Sequence, residues 1–166
     1  MPVTTIIGID PGLKGSMVTL DAKKPGSLKI DRLPTKVEQR ILKSGGGLGK
    51  PINSIDTEAL QRILSTYDPA TTVAFLEDVR SMPTDGRRAA FTFGRVKAAI
   101  ETALSTQRIP VLYVTPSVWK TRMRCTGLKR NARVRCEAIY PDVKFKSIDD
   151  CEAALIATYG ILFGLF

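Results

Sequence analysis

The sequence predicts an α/β fold, in which a five-stranded mixed sheet has helices on both faces. Short apolar runs separated by turn residues open the chain, which indicates an antiparallel three-strand meander. Further apolar runs lie near residues 72–77 and 109–114, and segments with helical periodicity lie between and after them. Strands that alternate with helices in this way are typical of parallel strands covered on both faces. The 166 residues suit a single domain with a buried core.

The first strand is predicted over residues 3–10. Its apolar run ends at Asp10, and Pro11 and Gly12 impose a turn immediately afterwards. Asp10 is therefore expected at the carboxyl end of a central strand. An ionised carboxylate is costly there unless a cation or a hydrogen-bond donor faces it.

The meander continues with strands over residues 17–20 and 28–33. Lys14-Gly15 is expected to form the first turn and Pro25-Gly26 the second. The next segment, residues 34–55, is predicted to be a mobile basic loop around a glycine-rich run. A phosphate-binding loop is disfavoured there because no strand leads into the glycines and Pro51 follows the Gly-Lys pair. The cations of this segment are Lys36, Arg40, Lys43 and Lys50.

A helix is predicted from about Asp56 to Thr66, with Asp56 or Ser54 as its cap. The strand over residues 72–76 follows, and it too ends in a carboxylate, Glu77. An arginine-bearing loop then leads into a long helix over residues 89–106, and the last strand covers residues 109–114.

Basic residues dominate the segment 119–135, which contains no acid. A purely solvated helix face usually mixes charge signs, so this run favours an acidic partner. The whole chain carries 25 basic and 16 acidic residues, a net charge of +9, which favours nucleic acid. No histidine is present, and this excludes Ser-His catalysis and histidine-based zinc sites.

Three acids open the final predicted helix: Asp149, Asp150 and Glu152. Acids are favourable at a helix start, so simple capping is one interpretation. However, Asp149 and Glu152 are three residues apart and share a helix face, whereas Asp150 lies off that face. The shared face continues as an apolar stripe, which directs both carboxylates toward the sheet.

These carboxylates are expected to converge. If the strands that end in Asp10 and Glu77 are adjacent and parallel, their carboxyl ends meet, and sites in such sheets form there. Four carboxylates in one place require divalent cations, and oxygen ligands suit Mg²⁺ or Mn²⁺. Two such ions can promote phosphodiester hydrolysis. An acidic centre with basic surroundings thus predicts a metal-dependent nuclease.

Four segments of the chain resemble the RuvC family of the RNase H-like superfamily, and the phage-type crossover junction endodeoxyribonucleases in particular. They are Gly8–Gly12, Leu76–Val79, Val114–Lys120 and Asp149–Ala157. The resemblance implies a homodimer that cuts four-way (Holliday) DNA junctions with two Mg²⁺ or Mn²⁺ ions per active site. It implies that Asp10, Glu77, Asp149 and Glu152 are the catalytic metal ligands, with Asp150 as the substitute for Asp149.

The same resemblance places Lys120 near the scissile phosphate, and a second basic position falls on Lys129, Arg130 or Arg133. Where bacterial members carry an aromatic wedge, this chain has Arg80. Phosphate contacts position DNA without selecting its structure, so other branched DNA is an alternative substrate. The expected DNA-binding residues are Arg80, Arg87, Arg88, Lys120, Arg122, Lys129, Arg130 and Arg133.

Two other functions fit parts of the sequence: an actin-like or sugar-kinase-like ATP-binding domain, and a non-catalytic DNA-binding module of the same fold. The leading hypothesis expects no nucleotide cofactor and no membrane segment. Three cysteines without metal-ligand spacing indicate reduced thiols and a cytoplasmic protein, in a bacterial host cytosol if phage-encoded. The helix over residues 89–106 and the apolar tail over residues 161–166 are the candidate dimer faces.

Overall fold

The computed structural model describes residues 2–41, 47–80 and 86–164. The strands are β1 (Thr5–Asp10), β2 (Ser16–Asp21), β3 (Lys24–Arg32), β4 (Thr35–Glu38), β5 (Ile52–Ile55), β6 (Thr72–Glu77) and β7 (Val111–Val114). The helices are α1 (Thr57–Leu64), α2 (Arg87–Thr106), α3 (Pro116–Arg122), α4 (Arg130–Ile139) and α5 (Ile148–Phe163).

Five strands form the main sheet in the order β3-β2-β1-β6-β7. β1 pairs antiparallel with β2, and β2 pairs antiparallel with β3. On its other side β1 runs parallel to β6, with Ile9 opposite Leu76, and β6 runs parallel to β7. The predicted fold class, an antiparallel meander joined to parallel strands, is confirmed.

Helices cover both faces of this sheet, as the sequence predicted. Ile6 points into a core shared with α3, α4 and α5, where Trp119 is fully buried. The next residue, Ile7, points into a second core shared with α1 and α2. Because successive side chains of a strand face opposite sides, residues 6–9 at the centre of β1 are apolar and buried on both faces.

A glycine sets how closely α5 approaches the sheet. A Cβ atom on Gly8 would lie 2.3 Å from both the Ala153 carbonyl oxygen and the Ala157 nitrogen. Only a residue without a side chain therefore allows α5 to lie directly on β1. This contact fixes the start of α5 beside the end of β1.

The turn between β2 and β3 differs from the prediction. It falls on Ala22 and Lys23, and Pro25 and Gly26 lie within β3 instead. Asp21 forms this turn, since its Oδ1 accepts a hydrogen bond of 2.8 Å from the Lys23 N–H. Pro25 is tolerated in β3 because β3 is an edge strand.

The segment 34–55 also differs from the predicted loop. β4 and β5 pair antiparallel within it, from Thr35 opposite Ile55 to Glu38 opposite Ile52, and form a separate two-stranded sheet. These strands have four residues each and are largely polar, so they lack the apolar alternation that identifies a strand. Lys43 and part of the glycine run lie outside the described residues, and the mobility of this segment stays a prediction.

Other helix boundaries differ from the predicted ones by a few residues. α2 begins at Arg87, and the basic segment forms two helices, α3 and α4, around Gly127, which has a φ of 92°. Residues 81–85 of the arginine-bearing loop and residues 165–166 of the apolar tail lie outside the described part of the chain. No helix within the described residues is both long and apolar enough to cross a membrane.

Candidate metal centre

Two carboxylates lie at the carboxyl ends of adjacent parallel strands. Asp10 is the last residue of β1 and Glu77 is the last residue of β6. The turn after Asp10 is tight: a Cβ atom on Gly15 would lie 2.2 Å from the Asp10 carbonyl oxygen. The backbone on both sides of Asp10 is thus fixed, and its side chain emerges at the edge of the sheet.

The start of α5 supplies two more carboxylates and separates the roles of neighbouring aspartates. Asp150 is buried, and its Oδ2 accepts hydrogen bonds from the backbone N–H groups of Lys146 and Ser147 at 3.0 and 2.9 Å. Its Oδ1 accepts a hydrogen bond of 2.5 Å from Ser16 Oγ. Asp150 therefore forms a capping box with Ser147 and ties α5 to β2.

The other two acids of α5 meet Asp10. Carboxylate oxygens of Asp10, Asp149 and Glu152 all lie within 4.8 Å of one another, and we call these three residues the acidic cluster. The structure thus groups Asp149, and not its substitute Asp150, with Asp10. The acidic cluster lines a cleft of about 310 Å³, which Glu77, Lys120 and Lys129 also line.

Glu77 lies in the same cleft but has a partner of its own. Its Oε1 accepts a hydrogen bond of 2.7 Å from the indole N–H of Trp119, which is fully buried. Burial raises the pKa of Glu77 even though this hydrogen bond acts in the opposite direction. Trp119 therefore orients one oxygen of Glu77 and leaves the other to the cleft.

Lys120 is the cation closest to the acidic cluster. Its ammonium lies 2.8 Å from Glu152 Oε1 and 5.1 Å from the centre of the Trp119 ring. Glu152 Oε1 is buried, and the Lys120 ammonium is the charged group that contacts it. Burial lowers the pKa of Lys120, but the nearby carboxylates of Glu152 and Glu77 outweigh it and raise that pKa.

The electrostatics of the cleft are unfavourable without a cation. The pKa of Asp10 is raised to about 8 by burial, and then by the charges of Glu77, Glu152 and Asp149. Lys129 acts in the opposite direction, but its effect is smaller. A group of acids that retains a proton near neutral pH is typical of a site that binds a cation.

The cluster fits a divalent cation. It offers only carboxylate oxygens, and oxygens of its three side chains lie within 4.8 Å of one another. Oxygen donors of this kind suit Mg²⁺ or Mn²⁺. Asp10, Asp149 and Glu152 are the residues placed to hold such an ion, with Glu77 beside them.

The predicted basic residues divide into two groups. Lys120 and Lys129 line the cleft. The others are not among its lining residues: Arg133 pairs with Glu137 at 3.3 Å, and Arg122 lies over the Phe163 ring at the C-terminal end of α5. Arg80 pairs with Asp78 at 3.5 Å and is largely exposed, and Arg87, Arg88 and Arg130 are exposed at helix starts.

Two residues that contribute to this geometry were not predicted from the sequence. Trp119 donates a hydrogen bond to Glu77, and Ser16 donates one to Asp150. Each partner lies far away in the chain, by 42 and 134 residues. The only local signal was the position of Trp119 directly before Lys120.

The sequence matches no protein-family model and no curated protein. The structure, in contrast, is similar to that of Thermus thermophilus RuvC, with a TM-score of 0.56 and 14% identity over 95% of this chain and 93% of RuvC. This chain has the fold of RuvC. A second RuvC structure from T. thermophilus, in complex with a Holliday junction substrate, has a TM-score of 0.58 and 13% identity over 96% of this chain and 97% of that one.

Proposed function

We propose that this protein is a divalent-metal-dependent endonuclease of the RuvC type, which cuts four-way junctions or other branched DNA. One observation carries the proposal: acids from three distant segments converge in one cleft, and three lysines, Lys14, Lys120 and Lys129, border it. The RuvC fold supports it, because RuvC has been solved with a Holliday junction substrate. The net charge of +9 supports a nucleic-acid partner.

The acids of the cleft would bind two Mg²⁺ or Mn²⁺ ions. Asp10, Asp149 and Glu152 would supply most of the ligands, and Glu77 would contribute the oxygen that is not hydrogen-bonded to Trp119. Bound divalent ions supply Lewis acid chemistry, which favours attack by water on phosphorus and departure of the bridging oxygen. One P–O bond forms, another breaks, and no covalent bond to the enzyme is needed.

The lysines of the cleft would act on the phosphate. Lys120 is held at the cleft by Glu152 and by the Trp119 ring, so its ammonium is positioned before DNA arrives. A positioned cation stabilises the negative charge that increases on the phosphate oxygens during the reaction. Lys129 is the second basic residue in this proposal, since it lines the cleft and Arg130 and Arg133 do not.

The remaining basic residues would contact the DNA arms through their phosphates. Arg80, Arg87 and Arg88 precede or open α2, and all three are exposed. We propose a homodimer, in which each subunit cuts one strand, working in the cytoplasm. Exposed apolar residues on both candidate dimer faces support self-association, Phe93 on α2 and Leu162 near the tail.

A gel assay tests the activity directly. Four-way, three-way, flap and linear duplex DNA are incubated with the protein in Mg²⁺, Mn²⁺ or EDTA. The proposal expects paired nicks in the four-way junction with either metal, and none in EDTA. Equal cutting of linear duplex would contradict a branched substrate, and metal-independent cutting would contradict the site.

The oligomeric state is tested separately by sedimentation at micromolar concentration. A dimer is expected both without DNA and with a junction bound. A monomer that still introduces paired nicks would exclude the dimeric arrangement but would leave the metal centre in place.

A further inference from the structure

A second feature of the surface lies between the β4–β5 hairpin and α2. It is a groove of about 650 Å³, larger than the cleft of about 310 Å³ that holds the acidic cluster. We call it the hairpin groove. Its lining includes Arg40, Lys50, Asn53, Arg88, Phe91 and Arg95.

The α2 side of the hairpin groove is one stripe of the helix. Arg88, Phe91 and Arg95 follow one another at spacings of three and four residues, so they share a face. A helix face that packs against a neighbour is normally apolar. Here the face carries two cations around a phenyl ring, which indicates a surface that meets a ligand.

The charge of the hairpin groove is almost entirely positive. Arg40, Lys50 and Arg88 are exposed and form no ion pair with an acid in the described parts of the chain. Arg95 lies 3.3 Å from Glu38, and this contact links the hairpin to α2. Unpaired cations that face one groove favour an anionic ligand with several charges.

Phe91 adds a second kind of contact. Its side chain is 69% exposed, although it lies in the middle of the basic stripe. An exposed aromatic ring surrounded by cations is typical of surfaces that bind single-stranded nucleic acid, where bases stack on the ring and phosphates meet the cations.

A continuous surface joins the hairpin groove to the cleft. Gly12 and Phe93 line the cleft, and both also line a neighbouring apolar pocket. Arg88 and Thr92 line that pocket and the hairpin groove as well. These shared lining residues place the hairpin groove and the cleft on either side of one pocket at the start of α2.

We propose that the hairpin groove binds an unpaired DNA strand next to the cut site, with a base stacked on Phe91 and phosphates at Arg40, Lys50, Arg88 and Arg95. The inference rests on the proposed nuclease function for the identity of its ligand. It adds a recognition site for unpaired nucleotides, which a continuous duplex lacks.

Stacking is tested by fluorescence. The chain has one tryptophan, Trp119, which is fully buried, so Phe91→Trp adds an exposed indole. Oligo-dT should quench the fluorescence of the variant in EDTA and leave that of the wild type nearly unchanged. A blunt duplex of equal length should quench it less. Absence of quenching at oligo-dT concentrations that saturate anisotropy would overturn the stacking contact.

Affinity is tested by anisotropy with the same labelled DNAs. Phe91→Leu keeps an apolar side chain but removes the ring, and should weaken oligo-dT binding about tenfold. Phe91→Tyr should restore binding, and blunt-duplex affinity should change little in both variants. Equal affinity of the Leu variant and the wild type for oligo-dT would overturn the proposal.

A matched pair of lysines tests the charges. Lys50→Gln should reduce the salt dependence of oligo-dT binding by about 0.7 in log–log slope, the contribution of one phosphate contact on a single strand. Lys24→Gln removes the same charge from an exposed position at the opposite end of the sheet from Asp10, and should leave the slope unchanged. Equal effects of the two substitutions would overturn the site, because they would indicate a general charge effect.

The two proposals fail in different ways. Junction cutting by wild type at saturating concentration tests the nuclease, and oligo-dT affinity in EDTA tests the hairpin groove. If wild type cuts the junction while Phe91→Leu binds oligo-dT normally, only the groove proposal fails. If wild type never cuts and Phe91→Leu weakens oligo-dT binding, only the nuclease proposal fails.

Discussion

The cleft and the hairpin groove carry side chains of opposite charge. They also differ in the elements that carry these side chains. The acidic cluster is anchored by β1 and by α5, in which residues 150–158 are all buried. The cations of the hairpin groove extend from a short hairpin and from the exposed face of α2. Crowded, partly buried acids reduce the stability of the protein, whereas exposed cations hardly affect it. Substitutions in the cleft should therefore change stability or catalysis, and those in the groove should change DNA affinity alone.

The largest expected effect is on cleavage. Asp149→Asn or Glu152→Gln should slow junction cutting at least about a thousandfold, roughly 4 kcal/mol of activation free energy, because each removes a charged ligand. Single-turnover rates on a gel measure this slowing. Binding of the junction by the variants, measured in EDTA, should persist. Lys24→Gln, at an exposed position at the opposite end of the sheet from Asp10, is the control and should keep the rate at saturating DNA. Equal rates in wild type and Glu152→Gln would remove the cluster from the mechanism.

Packing beneath the cleft gives the next effect. Gly8→Ala places a methyl group against the α5 backbone and should lower the free energy of unfolding by about 3 kcal/mol or more. Urea denaturation measures the loss. Gly26→Ala is the matched control, since a Cβ atom there meets nothing within 4 Å. Similar stabilities of the two variants would show that α5 does not depend on close contact with β1.

Asp150 should affect stability more than catalysis. Burial raises its pKa, but hydrogen bonds from Ser16 and Ser147 outweigh this and lower it. Its contribution is thus present above the ordinary aspartate pKa and is lost as pH falls through the folded-state value. Asp150→Asn should cost about 1–3 kcal/mol at pH 7, measured by urea denaturation. A variant that unfolds like wild type but no longer binds metal would instead make Asp150 a ligand.

The smallest expected effect is a gain in stability, in contrast to the losses expected for Gly8→Ala and Asp150→Asn. The folded state raises the pKa of Asp10 to about 8, so in metal-free protein its contribution to stability falls as pH rises between about 4 and 8. Asp10→Asn should therefore raise the Tm at pH 7 in EDTA by about 4 °C. This gain corresponds to about 1–2 kcal/mol of unfolding free energy, because 1 kcal/mol shifts the Tm by about 2–4 °C in a chain of this size. The gain should vanish below pH 4. A lower Tm of Asp10→Asn at pH 7 would show that the contacts of Asp10 stabilise the folded state by more than its burial among other acids destabilises it.

Periodicity was enough to predict the main sheet. Apolar runs that end in Asp10 and Glu77 are local signals, and a strand buried on both faces is apolar at every position. The β4–β5 hairpin was missed because its strands are short and polar, and their pairing depends on α2 and the hairpin ends rather than on their own sequence. Arg122 as a DNA-binding residue stays a prediction from the charge run, whereas the contact of its guanidinium with Phe163, over 41 residues of chain, has no local signal.

The sequence by itself determined the fold class and the acids and bases available for chemistry, because strand and helix periods and residue types are local properties. Only the tertiary structure decided which of two adjacent aspartates joins Asp10, since that depends on where α5 lies on β1. It also decided that Trp119 holds Glu77 and that Phe91 lies among cations. Such choices involve residues distant in the chain, and the free energy that selects them comes from packing, which no short segment encodes.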